Sequence, residues 1–196
     1  VPVGHDQKQH LELARDIAIK FNSNQIKGGV FNIPVGIFSE GTSTRVMSLN
    51  DGTKKMSKSD PSSLSRINLD DAPDEIMKKI KKAKTDGERG FLSATTSEGE
   101  IMRPEVNNLL GIRAALEDKS VQEVALELDG RDASTKMMKD ELTEIIVNRV
   151  HPIATEIERL REDKPYLSEV LSHGTRVASE IAADTMLSVR SSIGIL

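Results

Sequence analysis

The sequence predicts a short α/β region up to about Pro61, followed by a longer region of helices. In residues 1–61, short apolar runs end at Gly, Pro and Asp, which is typical of strands and tight turns. In residues 62–196, apolar side chains recur at three- and four-residue spacing, which is typical of amphipathic helices. With 30% charged residues, four Phe and no Trp, the core of this 196-residue chain has to be largely aliphatic. We therefore expect two domains, residues 1–61 and 62–196, in a chain that is mostly helical.

The first region begins with a strand, a turn and a helix in succession. Val1–Gly4 is a short apolar stretch, and apolar residues recur with helical spacing from Leu11 to Phe21. Asp6 lies between the two and is suited to cap the helix. A position just beyond the carboxyl end of a strand is also where open α/β sheets bind their ligands. A structural cap and a ligand contact therefore both remain open for Asp6.

A second short strand, Arg45–Leu49, is predicted to lead through a turn at residues 50–53 to the pentapeptide Lys-Met-Ser-Lys-Ser at Lys55–Ser59. We call this pentapeptide the lysine loop. Two ammonium groups next to hydroxyl groups and free backbone N–H groups suit the binding of a polyphosphate. An ordinary solvated polar loop is the alternative interpretation of such a composition.

Beyond residue 62 the pattern is helical. A Ser-x-x-Glu capping box precedes a short helix that ends at Leu128, and Pro152 is expected to kink the longest helix, which ends near Arg161. One helix is expected to stop at Gly174 and the last to reach about Val189 or Ser192. The expected starts are Pro73, Pro104, Ser120, about Ser134, Pro165 and Thr175. Residues 85–103 are predicted to be a loop, with a small hairpin as a further option.

The helix that begins at Pro73 is rich in lysine. The lysines stand at positions 78, 79, 81, 82 and 84. A solvated helix face is the ordinary explanation of such a run, and contact with RNA phosphates is the alternative. The formal net charge of −4 does not decide between them, because a local basic patch can bind RNA on an acidic protein.

Composition argues against several classes of protein. The chain has no cysteine, and its four histidines lack metal-ligand spacing, so we expect no disulfide and no metal held by protein side chains. No apolar run approaches the roughly 20 residues that span a bilayer, so we expect no membrane partner. The chain begins without Met at Val1, inside a predicted strand, and we expect that an N-terminal portion is missing.

The motifs and their order resemble the tryptophanyl-tRNA synthetase family, of bacterial type, among the class I aminoacyl-tRNA synthetases. The lysine loop, followed by Asp60-Pro61, matches the signature loop of that class, and residues 1–13 resemble the family's Gly-x-Asp-Gln segment. Residues 45–49, 83–86 and 106–110 are similar to other landmarks of the family. The resemblance covers essentially the whole chain. It implies the C-terminal part of a Rossmann-type parallel sheet, followed by a helical domain that binds tRNA and its anticodon.

The resemblance also implies roles for individual residues. Lys55 and Lys58 are implied as catalytic residues, with Lys58 the stronger candidate for contact with the transition state. The implied ATP-binding residues are Gly4, His5, Asp6, Val46, Lys55, Met56, Ser57, Lys58 and Ser59. The residues implied to lie beside tryptophan are Val1, Val3 and Gln7, with ordinary strand core as the alternative for the two valines. His5 stands where the family usually has Glu, which leaves a backbone contact as its implied role.

The function implied by the resemblance is tryptophan–tRNA ligation. L-tryptophan would be activated with ATP, which brings Mg²⁺, to Trp-AMP and then transferred to tRNA(Trp) by a homodimer. The implied location is the bacterial cytoplasm, or alternatively the matrix of an organelle of bacterial descent. The family's His-Ile-Gly-His-like motif and the acidic residue that binds the indole N–H have no match here, so we expect these residues alone to have little or no activity.

Two other functions stay open at this point. The first is a tyrosyl-tRNA synthetase, which shares the architecture, although the Pro2-Val3-Gly4-x-Asp6-Gln7 segment and the lysine loop fit the tryptophan enzymes better. The second is a non-catalytic module for RNA binding or dimerisation, which the lysine-rich helix allows.

Overall fold

The computed structural model describes residues 1–4, 7–24, 29–38, 46–95 and 100–195, and within these ranges the chain is mostly helical. This confirms the helical character expected from the sequence. The helices are α1 (Lys8–Ser23), α2 (Pro73–Lys82), α3 (Pro104–Glu117), α4 (Val121–Gly130), α5 (Thr135–Glu162) and α6 (Lys164–Ser192). Two 3₁₀ turns, Ser63–Ser65 and Leu92–Ala94, lie on either side of α2.

The expected part of a Rossmann-type parallel sheet is not found among the described residues. Parallel pairing is limited to one bridge, between Pro2 and Ile37, and the bridges between Met47 and Lys55 and between Thr95 and Ile101 are antiparallel. The segment that pairs with residues 1–3 contains Pro34, which cannot donate to a ladder, and such interruptions keep strand pairing short. Arg45, where a second strand was expected to begin, lies outside the described residues.

The helix starts follow their sequence signals. Pro73 and Pro104 occupy the first turns of α2 and α3, where the missing N–H of proline has no partner to lose. The predicted capping box of α4 is present, because Glu123 N donates to Ser120 Oγ at 3.1 Å and Ser120 N donates to Glu123 Oε2 at 2.7 Å. Pro152 lies inside α5, which continues on both sides of it, and the kink stays a prediction.

The prediction of two helices separated at Gly174 was wrong. A single helix, α6, runs from Lys164 to Ser192 and contains Gly174. A glycine ends a helix when it adopts the left-handed conformation, and among the described glycines only Gly90 and Gly194 have positive φ. Gly174 keeps the helical backbone, which lowers helix stability by roughly 0.5–1 kcal/mol but does not stop the helix.

By their internal contacts, the described residues fall into two compact units. The first unit comprises residues 1–40 and 160–196, and the second unit comprises residues 41–159. This division leaves the expected domains 1–61 and 62–196 as a prediction. The main hydrophobic core belongs to the second unit and is built from α2–α5 with Leu49 and Phe91. In the first unit, Phe21 and Phe31 pack edge to face with ring centroids 4.9 Å apart.

Candidate functional site

The lysine loop emerges from a short antiparallel hairpin in the second unit. Met47 pairs with Lys55, and the two flanking hydrogen bonds run from Ser48 N to Lys54 O (2.8 Å) and from Met56 N to Val46 O (3.0 Å). We call residues 46–49 with 54–56 the hairpin base, and residues 57–59 the loop tip. The first two residues of the lysine loop are thus part of a backbone ladder, and the tip extends from it.

The turn of the hairpin packs closely against the start of α3. A Cβ atom added to Gly52 would lie 2.4 Å from the carbonyl carbon of Pro104 and 2.5 Å from Glu105 N, so a side chain at this position would collide with the backbone of the helix. Glycine is the residue that permits such a close approach. The hairpin is therefore seated against the first turn of α3.

Asp51 closes the same turn. Its Oδ1 accepts hydrogen bonds from Thr53 N at 3.1 Å and from Thr53 Oγ1 at 2.6 Å. The bond from the Thr53 hydroxyl, followed by the bond from the Thr53 amide, lowers the pKa of Asp51 to about 2. Lys54 adds an ion pair of 3.3 Å to the other carboxylate oxygen. Asp51 is therefore an ionised turn residue with a structural task.

Leu49 connects the hairpin base to the core. Its side chain is buried, its N–H donates to Ser65 O at 2.9 Å, and its C=O accepts from Lys84 N at 2.8 Å. The segments before and after α2 therefore both hold the hairpin base. Close by, Lys84 Nζ lies 2.7 Å from Glu105 Oε1, and this contact raises the pKa of Lys84 and lowers that of Glu105.

Asn108, on α3, holds the other side of the same strand. Its Oδ1 accepts from Met47 N at 2.9 Å, and its Nδ2 donates to Met47 O at 2.9 Å. In an antiparallel pair, every second residue turns its N–H and C=O away from its partner strand. The carboxamide of Asn108 satisfies those outward-facing groups of Met47 in the way that a third strand would.

The loop tip has a different environment. Ser57, Lys58 and Ser59 are exposed. Ser57 Oγ and Ser59 Oγ lie 2.8 Å apart, Ser59 N donates to Ser57 Oγ at 3.3 Å, and Asp60 N donates to Ser57 O at 3.3 Å. These bonds form a tight turn that presents the Lys58 ammonium group and two hydroxyl groups to solvent. A set of cationic and hydroxyl donors of this kind suits phosphate oxygens.

Three further predicted site residues lie in the hairpin base. Met56 is half-buried and packs against the core of the second unit. Lys55 is exposed next to it. Val46, at the start of the hairpin, is 38% exposed and contributes its carbonyl to the hairpin base. Val46 and Lys55–Ser59 are thus brought together on one hairpin.

The other predicted site residues belong to the first unit. Val3 N donates to Ile37 O at 3.1 Å, and Gln7 N donates to Gly4 O at 3.0 Å, directly before α1. The first residue, Val1, is 54% exposed, and Val3 is half-buried. The Gln7 side chain contacts His10, with Oε1 and Nδ1 3.0 Å apart. His5 and Asp6 lie outside the described residues, so the expected roles of these two stay predictions.

The lysine-rich helix α2 is less uniform than its composition suggested. Lys79 is buried, and its Nζ forms an ion pair with the carboxylate of Asp71. This pair is shielded from solvent, because only 3% of the Lys79 side chain and 10% of the Asp71 side chain are exposed. The expectation that all these lysines form a solvated face was therefore wrong for Lys79. The spacing of Ile76, Lys79, Ile80 and Ala83 would have placed it on the apolar face of the helix.

The sequence analysis gave no site role to Gly52 or Asn108, although Gly52 lies in the predicted turn 50–53 and Asn108 in the family-like segment 106–110. A further local signal for Asn108 is its polar side chain between Val106 and Leu109, both of which are buried. Within the described ranges, no group of three or more His, Asp or Glu side chains is placed to hold a metal ion. None of the helices in the described part of the chain is long and apolar enough to cross a membrane.

Comparison with known proteins identifies similar sequences. Residues 1–151 match the family described as tRNA synthetases class I (W and Y). The chain is 47% identical to a tryptophan–tRNA ligase of Agrobacterium fabrum, with all of this chain and 59% of that protein covered. It is 45% identical to a tryptophan–tRNA ligase of a Nostoc species, with 99% of this chain and 56% of that protein covered. The chain thus spans a little over half the length of these curated relatives.

Solved structures of tryptophanyl- and tyrosyl-tRNA synthetases are also similar to this chain. Tryptophanyl-tRNA synthetase from Mycoplasma pneumoniae aligns with a TM-score of 0.73 and 30% identity over 98% of this chain and 55% of that one. The enzyme from Campylobacter jejuni, crystallised with ADP and tryptophan, aligns with a TM-score of 0.68 and 28% identity over 99% of this chain and 56% of that one. Tyrosyl-tRNA synthetase from Aeropyrum pernix shares the fold, with a TM-score of 0.53 and 24% identity over 88% of this chain and 46% of that one.

Proposed function

The chain belongs to the class I tRNA synthetases that comprise the tryptophan and tyrosine enzymes, and on this premise we propose that the full-length protein activates L-tryptophan with ATP and transfers it to tRNA(Trp). The observation that carries the proposal is the lysine loop itself, held on a hairpin whose base is bonded to the core and whose tip presents a lysine and two serines to solvent. Such a tip is suited to bind the phosphates of ATP.

The proposed first step is adenylate formation. The tryptophan carboxylate attacks the α-phosphorus of ATP, the bond from that phosphorus to the bridging oxygen of the β-phosphate breaks, and pyrophosphate leaves. Negative charge grows on the leaving group, so a cation that contacts it more closely in the transition state than in the ground state accelerates the step. We assign this role to Lys58 first, and to Lys55 as the second catalytic residue. The hydroxyl and backbone groups of Ser57 and Ser59 would donate to the same phosphates.

The resemblance to the family implies further contacts with the nucleotide. Gly4 would allow close approach of the adenosine, Asp6 would accept from the ribose hydroxyls, and His5 would contribute a backbone contact. Val46 would contact the adenine through its backbone. Mg²⁺ would arrive bound to the phosphates of ATP.

Tryptophan is the amino acid that the comparisons favour. The relatives at 43–47% identity are named tryptophan–tRNA ligases, whereas the tyrosyl enzyme at 24% identity supports the fold alone. Val1, Val3 and Gln7 are the residues we place beside the indole. The acceptor would be tRNA(Trp), and the working form would be a homodimer. The reaction would take place in the cytoplasm of a bacterium, since the relatives described above are bacterial. An organelle of bacterial descent is the alternative.

Amino-acid-dependent exchange of pyrophosphate into ATP tests the proposal. The full-length protein is assayed with tryptophan, with tyrosine and without an amino acid. We expect exchange that depends on tryptophan and is at least about 100-fold slower with tyrosine, because a site built around hydrogen bonds to one side chain rejects the other strongly. Exchange that prefers tyrosine would identify the tyrosine enzyme. Salt-sensitive tRNA binding without any exchange would identify a non-catalytic RNA-binding module.

A further inference from the structure

We propose that Asn108 is a positioning residue for adenylate formation, because its carboxamide fixes the strand that presents the lysine loop. The inference rests on the proposed function, since it concerns the same reaction. Asn108 itself would touch neither ATP nor tryptophan. It would act through Met47 and the hairpin base on the placement of Lys55 and Lys58.

The geometry of the contact is that of a strand pairing. Met47 is bonded in both directions by one side chain, with N to Oδ1 and Nδ2 to O distances of 2.9 Å each, and a longer contact of 3.4 Å runs from Nδ2 to Ser48 O. Met47 is also the residue that pairs with Lys55, the first residue of the lysine loop. A single residue, Met47, therefore links the Asn108 carboxamide to the lysine loop.

Asn108 is itself firmly placed. It is 7% exposed and is followed on α3 by Leu109 and Leu110, which are both buried in the core. A buried carboxamide is favourable only where its donor and acceptor groups are satisfied, and here they are satisfied by Met47. The hairpin thus takes its position from a helix that cannot move without disturbing the core.

A second contact with the same helix fixes the direction of the hairpin. Gly52 lies against the backbone at Pro104 and Glu105, about one helical turn before Asn108. Two contacts along one helix prevent the hairpin from rotating about either of them. The orientation of the lysine loop is therefore set by α3, and a change at Asn108 would tilt the loop without removing a catalytic group.

This arrangement predicts a specific kinetic effect. Displacement of a catalytic group by about 1 Å can slow a reaction on the order of 10²-fold. Asn108→Asp keeps the size of the side chain and the acceptor for Met47 N, but it replaces the donor with an oxygen that faces Met47 O. We expect kcat of tryptophan-dependent pyrophosphate exchange to fall roughly 10- to 100-fold, with the KM for tryptophan changed by less than about threefold.

A matched control lies next to it on α3. The Oδ1 of Asn107 accepts from Thr95 Oγ1 at 2.6 Å, on the side of the loop 85–103. Asn107→Ala therefore changes the same helix without touching the hairpin, and we expect exchange close to that of the wild type. Asn108→Gln, which keeps both hydrogen-bonding groups but moves them by one methylene, takes the place of Asn108→Asp if that variant does not fold.

A double-mutant cycle in the full-length protein separates positioning from simple destabilisation. If Asn108 acts by placing Lys58, then Asn108→Asp should lower kcat by less than about threefold when Lys58 is already Ala. A full 10- to 100-fold loss in that background, or no loss in the presence of Lys58, would overturn the inference while leaving the proposed function intact. Absence of tryptophan-dependent exchange in the wild type would overturn the proposed function, and this inference with it.

Discussion

In the hairpin base, Met47 and Leu49 are hydrogen-bonded to Asn108, Ser65 and Lys84, which belong to three other segments of the second unit. In the loop tip, the described hydrogen bonds join Ser57 to Ser59 and Asp60, two or three positions along the chain. Long-range bonds to a core resist local opening, whereas short-range bonds on the surface break and re-form readily. This difference supports the proposed function, in which the hairpin base fixes the position of the lysine loop and the loop tip adjusts to the phosphates of ATP.

The largest effect is expected from the tip. Lys58→Ala in the full-length protein should slow tryptophan-dependent adenylate formation by about 10²- to 10³-fold, because the proposed contact of its charge with the transition state is lost. Tryptophan binding, measured by equilibrium titration, should change little. Lys54→Ala is the matched control, since Lys54 lies on the same hairpin but pairs with Asp51 in the turn. Equal losses in the two variants would refute the separate role of the tip.

The next effect concerns the shielded ion pair between Lys79 and Asp71. Lys79→Ala should lower the free energy of unfolding by about 3 kcal/mol, because it leaves the carboxylate of Asp71 shielded and without its charge partner. That carboxylate also accepts from Asn68 N at 2.8 Å, in the segment that joins the lysine loop to α2. Lys82→Ala, an exposed lysine on the same helix, should change stability by no more than about 0.5 kcal/mol. Denaturant unfolding of both variants checks this, and similar midpoints would contradict it.

A smaller effect is expected at the turn of the hairpin. Gly52→Ala places a methyl group within 2.4 Å of the backbone of Pro104, so the hairpin has to shift away from α3. Such overpacking lowers the free energy of unfolding by about 1–3 kcal/mol. Gly87→Ala is the control, since no heavy atom lies within 4 Å of the added methyl group. Thermal unfolding of the two proteins should differ by several degrees, and the prediction fails if Gly52→Ala unfolds like the wild type.

The smallest effect is a pH dependence of the turn. The folded pKa of Asp51, about 2, lies below its ordinary value of 3.8, so its bonds to Thr53 stabilise the turn fully above about pH 4. That contribution is lost as the pH falls from about 4 towards 2 and the carboxylate is protonated. An NMR titration of the Asp51 carboxyl carbon should give the lowered value, and Thr53→Val should move it upward. Titration near 3.8 in the wild type would show that the turn bonds are not formed.

The features of the fold and of the site that could be predicted from the sequence are those with a signal in neighbouring residues. The starts of α2 and α3, the capping box of α4 and the position of the lysine loop each depend on a few neighbouring residues, and these could be predicted. The bond between Asn108 and Met47 joins residues 61 positions apart, and nothing in the neighbourhood of either residue announces it. The burial of Lys79 depends on Asp71 closing over it, which a count of lysines could not indicate.

The predicted helix end at Gly174 was wrong for a similar reason, because the residue type alone does not determine whether α6 stops there. A glycine after a periodic segment is compatible with a helix end and with a helix interior, and the choice depends on its backbone conformation. That conformation is set by the whole helix and cannot be read from the residue type. In the same way, the pairing of residues 1–3 was expected from their apolar character, but its restriction to one parallel bridge depends on the partner segment.

Amide hydrogen exchange of the full-length protein, followed residue by residue with and without ATP, tests the distinction between base and tip most directly. We expect slow exchange at Met47, Ser48 and Leu49 in both conditions. We expect fast exchange at Lys58 and Ser59 in the free protein and clear slowing when ATP is bound. Base amides that exchange as fast as the tip, or tip amides that do not respond to ATP, would contradict it.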